Sequence, residues 1–109
     1  MIKDKVAIIT GASSGIGFAT ALALSKAGAK VAIGARRVDR LEELAKKITS
    51  DGGEVFYQKL DVTQRSECDN FAKAVLEKWG SIDILVNNAG LMPLSLFKSL
   101  KVDEWDRMV

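Results

Sequence analysis

The segment Thr10-Gly11-Ala12-Ser13-Ser14-Gly15-Ile16-Gly17 constrains this chain more than any other. It follows the apolar run Val6-Ala7-Ile8-Ile9 and opens into an alanine-rich stretch, so it reads as a glycine-rich turn between a buried strand and a helix. A helix N-terminus presents N–H groups with no partner inside the helix, together with the positive end of its dipole. Glycines let the backbone turn sharply and let an anion approach without meeting a Cβ. The arrangement suits a phosphate. Its spacing is G-x-x-x-G-x-G, which differs from the common G-x-G-x-x-G dinucleotide fingerprint. No Lys-Ser/Thr pair follows the last glycine, so it is not a Walker loop.

Short apolar runs alternate with helical periods along the rest of the chain. Strands are predicted at 6–10, 30–34, 54–60 and 82–87, the first rich in β-branched residues, without alternation, and so buried on both faces. Helices are predicted at 15–27, closed by Gly28, at 38–50, broken by Asp51-Gly52-Gly53, and at 64–79, closed by Gly80. Leu41, Leu44, Ala45 and Ile48 form the apolar stripe of the second helix. Cys68, Phe71, Ala72, Val75, Leu76 and Trp79 form that of the third, for which Thr63 is the expected N-cap. Residues 94–109 are expected to be helical in parts, with a helix starting near Asp103. The β-α-β-α-β-α-β order predicts an α/β fold of three αβα layers, a doubly wound parallel sheet joined by right-handed crossovers. No linker, repeat or low-complexity tract divides the 109 residues, so 1–109 is expected to be one domain.

A second motif, Asn87-Asn88-Ala89-Gly90, directly follows the apolar run Ile84-Leu85-Val86. With the glycine loop it resembles the T-G-x-x-x-G-x-G and N-N-A-G motifs of the short-chain dehydrogenases/reductases. The alternative is two unrelated glycine turns. The resemblance covers essentially the whole chain, but only the N-terminal, cofactor-binding part of a family member. It implies a Rossmann-like sheet of strand order 3-2-1-4, one dinucleotide-binding domain, and ligand binding beyond the carboxyl ends of the strands. Gly11, Ser13, Ser14, Gly15, Ile16 and Gly17 would form the phosphate loop, with Ile16 towards the nicotinamide. Asp61 would meet the adenine amino group while Val62 packs on the ring. Asn88, Ala89 and Gly90 would line the cleft, and Asn87 reads as a hydrogen-bonding residue at the strand end. Ser13, Ser14 and Asp61 could equally bond their own turns.

The end of the second strand separates two cofactors. NAD-binding domains place an acid there, about 20 residues after the glycine loop, to hold the ribose hydroxyls. This chain has Ala35, then Arg36 and Arg37. No acid repels a 2′-phosphate and two guanidinium groups can reach it, which favours NADP over NAD. The alternative is that both arginines are solvated charges at a helix start. The family's chemistry moves a hydride between nicotinamide and an alcohol or carbonyl substrate, using a serine, an asparagine and a Tyr-x-x-x-Lys pair. Tyr57 is the sole tyrosine, it falls mid-strand, and Asp61 stands four residues on where the lysine would be. No catalytic residue is therefore assigned, and 1–109 alone is expected to be inactive.

Composition removes other classes. The absence of histidine excludes Ser-His and Cys-His pairs and most zinc sites, and no metal is expected. Cys68, the single cysteine, permits no internal disulfide and is expected to be inert core. A net charge of +2 with interspersed signs argues for neither nucleic acid nor a membrane surface. With no signal peptide or long apolar span visible, the expected location is cytoplasmic. The complete protein is expected to be a homo-oligomer, and the isolated chain to self-associate through its fourth strand, exchange elements, or be only marginally folded. Two other readings stay open: a stand-alone nucleotide-binding or regulatory module, and a methyltransferase-like fold. Ala35-Arg36-Arg37 argues against the latter, which wants an acid at the end of strand two.

Overall fold

A computed structural model of the chain describes residues 2–13 and 15–87. The site residues Ser14, Asn88, Ala89 and Gly90, and the helix expected near Asp103, lie outside the described residues. Seven elements alternate in order: β1 (Val6–Thr10), α1 (Gly15–Lys26), β2 (Lys30–Ala35), α2 (Val38–Ser50), β3 (Val55–Lys59), α3 (Arg65–Trp79) and β4 (Ile84–Asn87). The strands form one parallel sheet in the order β3-β2-β1-β4. The parallel α/β sheet is what the alternation of runs predicts, and its Rossmann-like strand order is what the family resemblance implies.

β1 lies at the centre of the order, with β2 on one side and β4 on the other. All five of its residues are buried. Alternation along the strand still decides which layer each side chain meets. Val6 and Ile8 face α3, in a cluster with Cys68, Phe71, Ala72 and Val75. Ala7 and Ile9 face α1 and α2, in a cluster with Ala21, Leu41, Leu44 and Ile48. Full burial of Ile8 or Ile9 stabilises by about 1.5–3 kcal/mol each, before the ordering cost. Phe56 of β3 and Phe71 of α3 stack with ring centroids 5.9 Å apart on the α3 side.

The helices follow their sequence patterns. α2 buries Leu41, Leu44, Ala45 and Ile48, the 3–4 spacing of its stripe. α3 buries Cys68, Phe71, Ala72 and Val75 and ends at Gly80, whose N–H donates to the Leu76 carbonyl at 2.7 Å. Burial pushes the Cys68 thiol up from its ordinary pKa, as expected of an inert core thiol. Among the described residues, no helix is long and apolar enough to cross a membrane.

One expected cap is corrected. The N-cap position of α3 is Gln64, without a side-chain capping bond, rather than Thr63. The Thr63 hydroxyl instead donates to Asp61 Oδ1 at 2.7 Å, and its N–H donates to the same oxygen at 3.0 Å. The carboxylate two residues back takes the Thr63 O–H and N–H in charge-assisted bonds, which turns the side chain towards the Asp61 turn and away from the helix end.

Candidate cofactor site

Three strand ends meet at one cleft of about 350 Å³. β1 delivers Gly11 and Ser13. β2 delivers Ala35, Arg36 and Arg37. The chain after β3 delivers Leu60, Val62 and Thr63. A parallel sheet points all its carboxyl ends the same way, so loops far apart in sequence converge there. The loop after β1 is tied to its neighbour, because Ala12 N–H donates to the Gly34 carbonyl at 3.4 Å. The fourth strand end joins through side chains. The Thr10 hydroxyl, fully buried, donates to Asn87 Oδ1 at 2.9 Å, which gives Asn87 the strand-end hydrogen bond its sequence position suggests.

The three loop glycines have three different explanations. Gly11 has φ +66°, a backbone conformation that side chains disfavour. Gly17 is buried at the start of α1, and a Cβ there would collide with the Gly11 carbonyl oxygen and come within 2.9 Å of Ala12 Cα. That contact lets α1 begin directly behind the loop. Gly15 has neither reason, since no described atom lies within 4 Å of a Cβ built on it. Its missing side chain leaves open space at the N-terminus of a 12-residue helix. Ile16, next to it, is 75% exposed, unusual for so large an apolar residue.

The charges around the cleft are paired but wet. Arg36 Nη2 lies 3.4 Å from Asp61 Oδ1. Arg37 forks onto Asp39, with Nε 3.4 Å from Oδ1 and Nη2 3.0 Å from Oδ2. The Arg36 and Arg37 side chains are 70% and 67% exposed, so solvent screens both pairs. Asp61 is anchored more firmly. The Thr63 hydroxyl, then the Thr63 N–H, hold its carboxyl below the usual carboxylate range, with Arg36 adding to them. Its own N–H donates to Glu67 Oε1 at 3.1 Å, which ties the turn after β3 to the first turn of α3. All three contacts to the Asp61 side chain converge on Oδ1.

The structure thus brings Gly11, Ser13, Arg36, Arg37 and Val62 onto one cleft, with Asp61 at its margin. Gly15, Ile16 and Gly17 occupy the first turn of α1. Sequence reading missed Thr63 and Glu67 as the residues that fix Asp61; the short Asp-x-Thr spacing was the available signal. Tyr57 is elsewhere. It is mid-β3 and lines a separate hollow against Ala45, Lys46 and Thr49 of α2.

Comparison with known proteins agrees with this geometry. The family model described as short chain dehydrogenase matches residues 5–109. An uncharacterized oxidoreductase of Listeria monocytogenes is 47% identical over 108 residues, covering 99% of this chain and 44% of the relative. The chain therefore spans less than half of that relative's length. Among solved structures, an alcohol dehydrogenase from the archaeon Thermococcus sibiricus, complexed with 5-hydroxy-NADP, is 46% identical. Its match covers 97% of this chain and 46% of that one, with a TM-score of 0.77. A short chain dehydrogenase/reductase from Burkholderia phymatum in complex with NAD is 31% identical, covering 77% of this chain and 30% of that one, with a TM-score of 0.75. On motif, topology and family match together, the chain belongs to the short-chain dehydrogenase family and corresponds to the N-terminal part of a member.

Proposed function

We propose that the chain is the NADP-binding portion of a short-chain oxidoreductase that moves a hydride between NADP(H) and a small-molecule alcohol or carbonyl substrate. The observation that carries the cofactor choice is the end of β2. Ala35 is buried where an acid would repel a 2′-phosphate, and the exposed Arg36 and Arg37 border the cleft beside Gly11 and Ser13. The open space at Gly15 and the helix N-terminus behind it fit the pyrophosphate. Asp61, held ionised by Thr63, is suited to accept from the adenine amino group, with Val62 beside the ring. Ser14, Asn88, Ala89 and Gly90 complete the proposed binding set. When bound, the cofactor supplies hydride chemistry at its nicotinamide ring; the residues of this chain bind and orient it.

The oxidoreductase reading draws on the relatives. The Listeria protein is named an oxidoreductase, and the Thermococcus enzyme, an alcohol dehydrogenase, carries an NADP derivative. The general acid/base is not among the residues proposed here, since Tyr57 lines a different hollow, so residues 1–109 alone are proposed to bind without turnover. Cytoplasmic location and homo-oligomeric assembly of the complete protein belong to the same proposal.

Replacing both arginines tests the reading. In the full-length protein, Arg36→Ala with Arg37→Ala weakens NADP on the order of 10- to 150-fold and leaves NAD nearly unchanged. Ala35→Asp shifts preference towards NAD. Equal loss of both cofactors in the arginine variant, by equilibrium titration, would refute the 2′-phosphate assignment.

A further inference from the structure

Arg37 is not idle in the absence of a ligand. Its guanidinium forks onto the Asp39 carboxylate, two residues on, in the first turn of α2. Asp39 presents both oxygens to Arg37, the geometry in which a planar guanidinium also grips a phosphate. We infer that Asp39 is a specificity-determining residue, an internal carboxylate that competes with the cofactor's 2′-phosphate for Arg37. The inference rests on the proposed placement of that phosphate at Arg36 and Arg37.

The energetics follow from exposure. Both partners are about two-thirds exposed, at 67% and 66%, so the pair is weak and exchangeable. A phosphate that takes Arg37 must displace Asp39 or share the cation with it. Either way the free energy of the pair is subtracted from the gain on binding. A ligand without a 2′-phosphate makes no such demand, so its affinity is indifferent to Asp39. The carboxylate thereby narrows the margin between NADP and NAD without touching either.

Asp61 stands in a similar relation to Arg36, but through a single contact at 3.4 Å, and it is itself tied to Thr63 and proposed as the adenine partner. Its removal would confuse two effects. Asp39 does not line the cleft and gives the cleaner probe.

The test is a double-mutant cycle in the full-length protein, read by equilibrium titration with NADP and with NAD. Asp39→Asn tightens NADP roughly two- to five-fold, leaves NAD unchanged, and has no effect on either once Arg37→Ala is present. Unchanged NAD affinity also reports that the fold is intact. If Arg37→Ala weakens NADP selectively but Asp39→Asn does not tighten it, competition is overturned and the cofactor assignment stands. A gain that persists undiminished with Arg37→Ala would come from the charge at the helix end and overturns competition for Arg37. If Arg37→Ala weakens NADP and NAD alike, the assignment itself falls, and the inference with it.

Discussion

At the amino ends of β1 and β4, the Asp83 carboxylate accepts from the Val6 N–H at 2.8 Å and from the Ser81 hydroxyl at 3.1 Å. The Asp83 N–H returns a bond to the Val6 carbonyl at 2.8 Å. At the carboxyl ends, Asp39 holds the exposed Arg37 guanidinium, and Asp61, itself anchored by Thr63, contacts the exposed Arg36. The same side-chain chemistry serves opposite purposes. A backbone N–H cannot leave its carboxylate without moving a strand, whereas an exposed arginine can change partners by rotating a side chain. Asp83 locks the start of β1 to the start of β4, whereas the carboxyl end keeps its two arginines available. The division recurs inside the glycine loop, where Gly17 is required by packing and Gly15 by no described neighbour.

The sharpest way to break this contrast is at Gly17. The added methyl of Gly17→Ala meets backbone atoms that cannot rotate aside, so the cost is about 3 kcal/mol of stability by chemical denaturation. An ordinary unfolding midpoint would show that α1 can slide back from the loop. Next in size, Asp83→Ala leaves the part-buried Val6 N–H without its side-chain acceptor and costs about 2 kcal/mol. NADP and NAD affinity at the opposite end should not change; a matching loss of affinity would mean the two ends are coupled. Smaller again, Gly15→Ala changes stability by no more than about 1 kcal/mol, and upwards, because alanine favours the helix. Its cofactor affinity nonetheless falls. Unaltered affinity would remove the case for a phosphate at that space.

The smallest effect tests the exchangeable end alone. The Asp61 pKa is lowered in the fold, so its contribution to stability is present above the ordinary carboxylate range and is lost as pH falls through the depressed value. Thr63→Ala removes the leading cause. The Asp61 midpoint, followed by carboxyl-carbon NMR, moves up towards the ordinary value and the acid loss shrinks. A midpoint that stays put would make Arg36 its chief support.

What could be read from the chain divides along the same line. β1, the glycine loop and α2 are contiguous patterns, and the run of β-branched residues or the 3–4 spacing of leucines specifies them directly. Asn87 was legible because it closes a strand beside a recognisable motif. Asp83 was not, since its partner Val6 is 77 residues away and meets it only once β1 and β4 are adjacent. The Arg37–Asp39 fork was hidden for a different reason. Neighbouring charges at a helix start have many rotamers, and sequence does not choose among them. Thr63 misled because its hydroxyl could either accept from the N–H groups of the helix end or donate to the Asp61 carboxylate, and the two roles look alike in the sequence.

The hydrogen bond from Thr10 to Asn87 also sets a schedule. Its partners are separated by 77 residues. At ribosomal speed, that is a delay of about 4–15 s between the making of one and of the other. β2 can pair with β1, and β3 with β2, as each emerges, but the other edge of β1 stays open throughout the interval. A nascent chain with an apolar central strand open on one side is a substrate for chaperones and a hazard for its neighbours on the polysome. The bond from Thr10 to Asn87 is thus among the last contacts to close, since one partner is made early and the other arrives only when β4 docks.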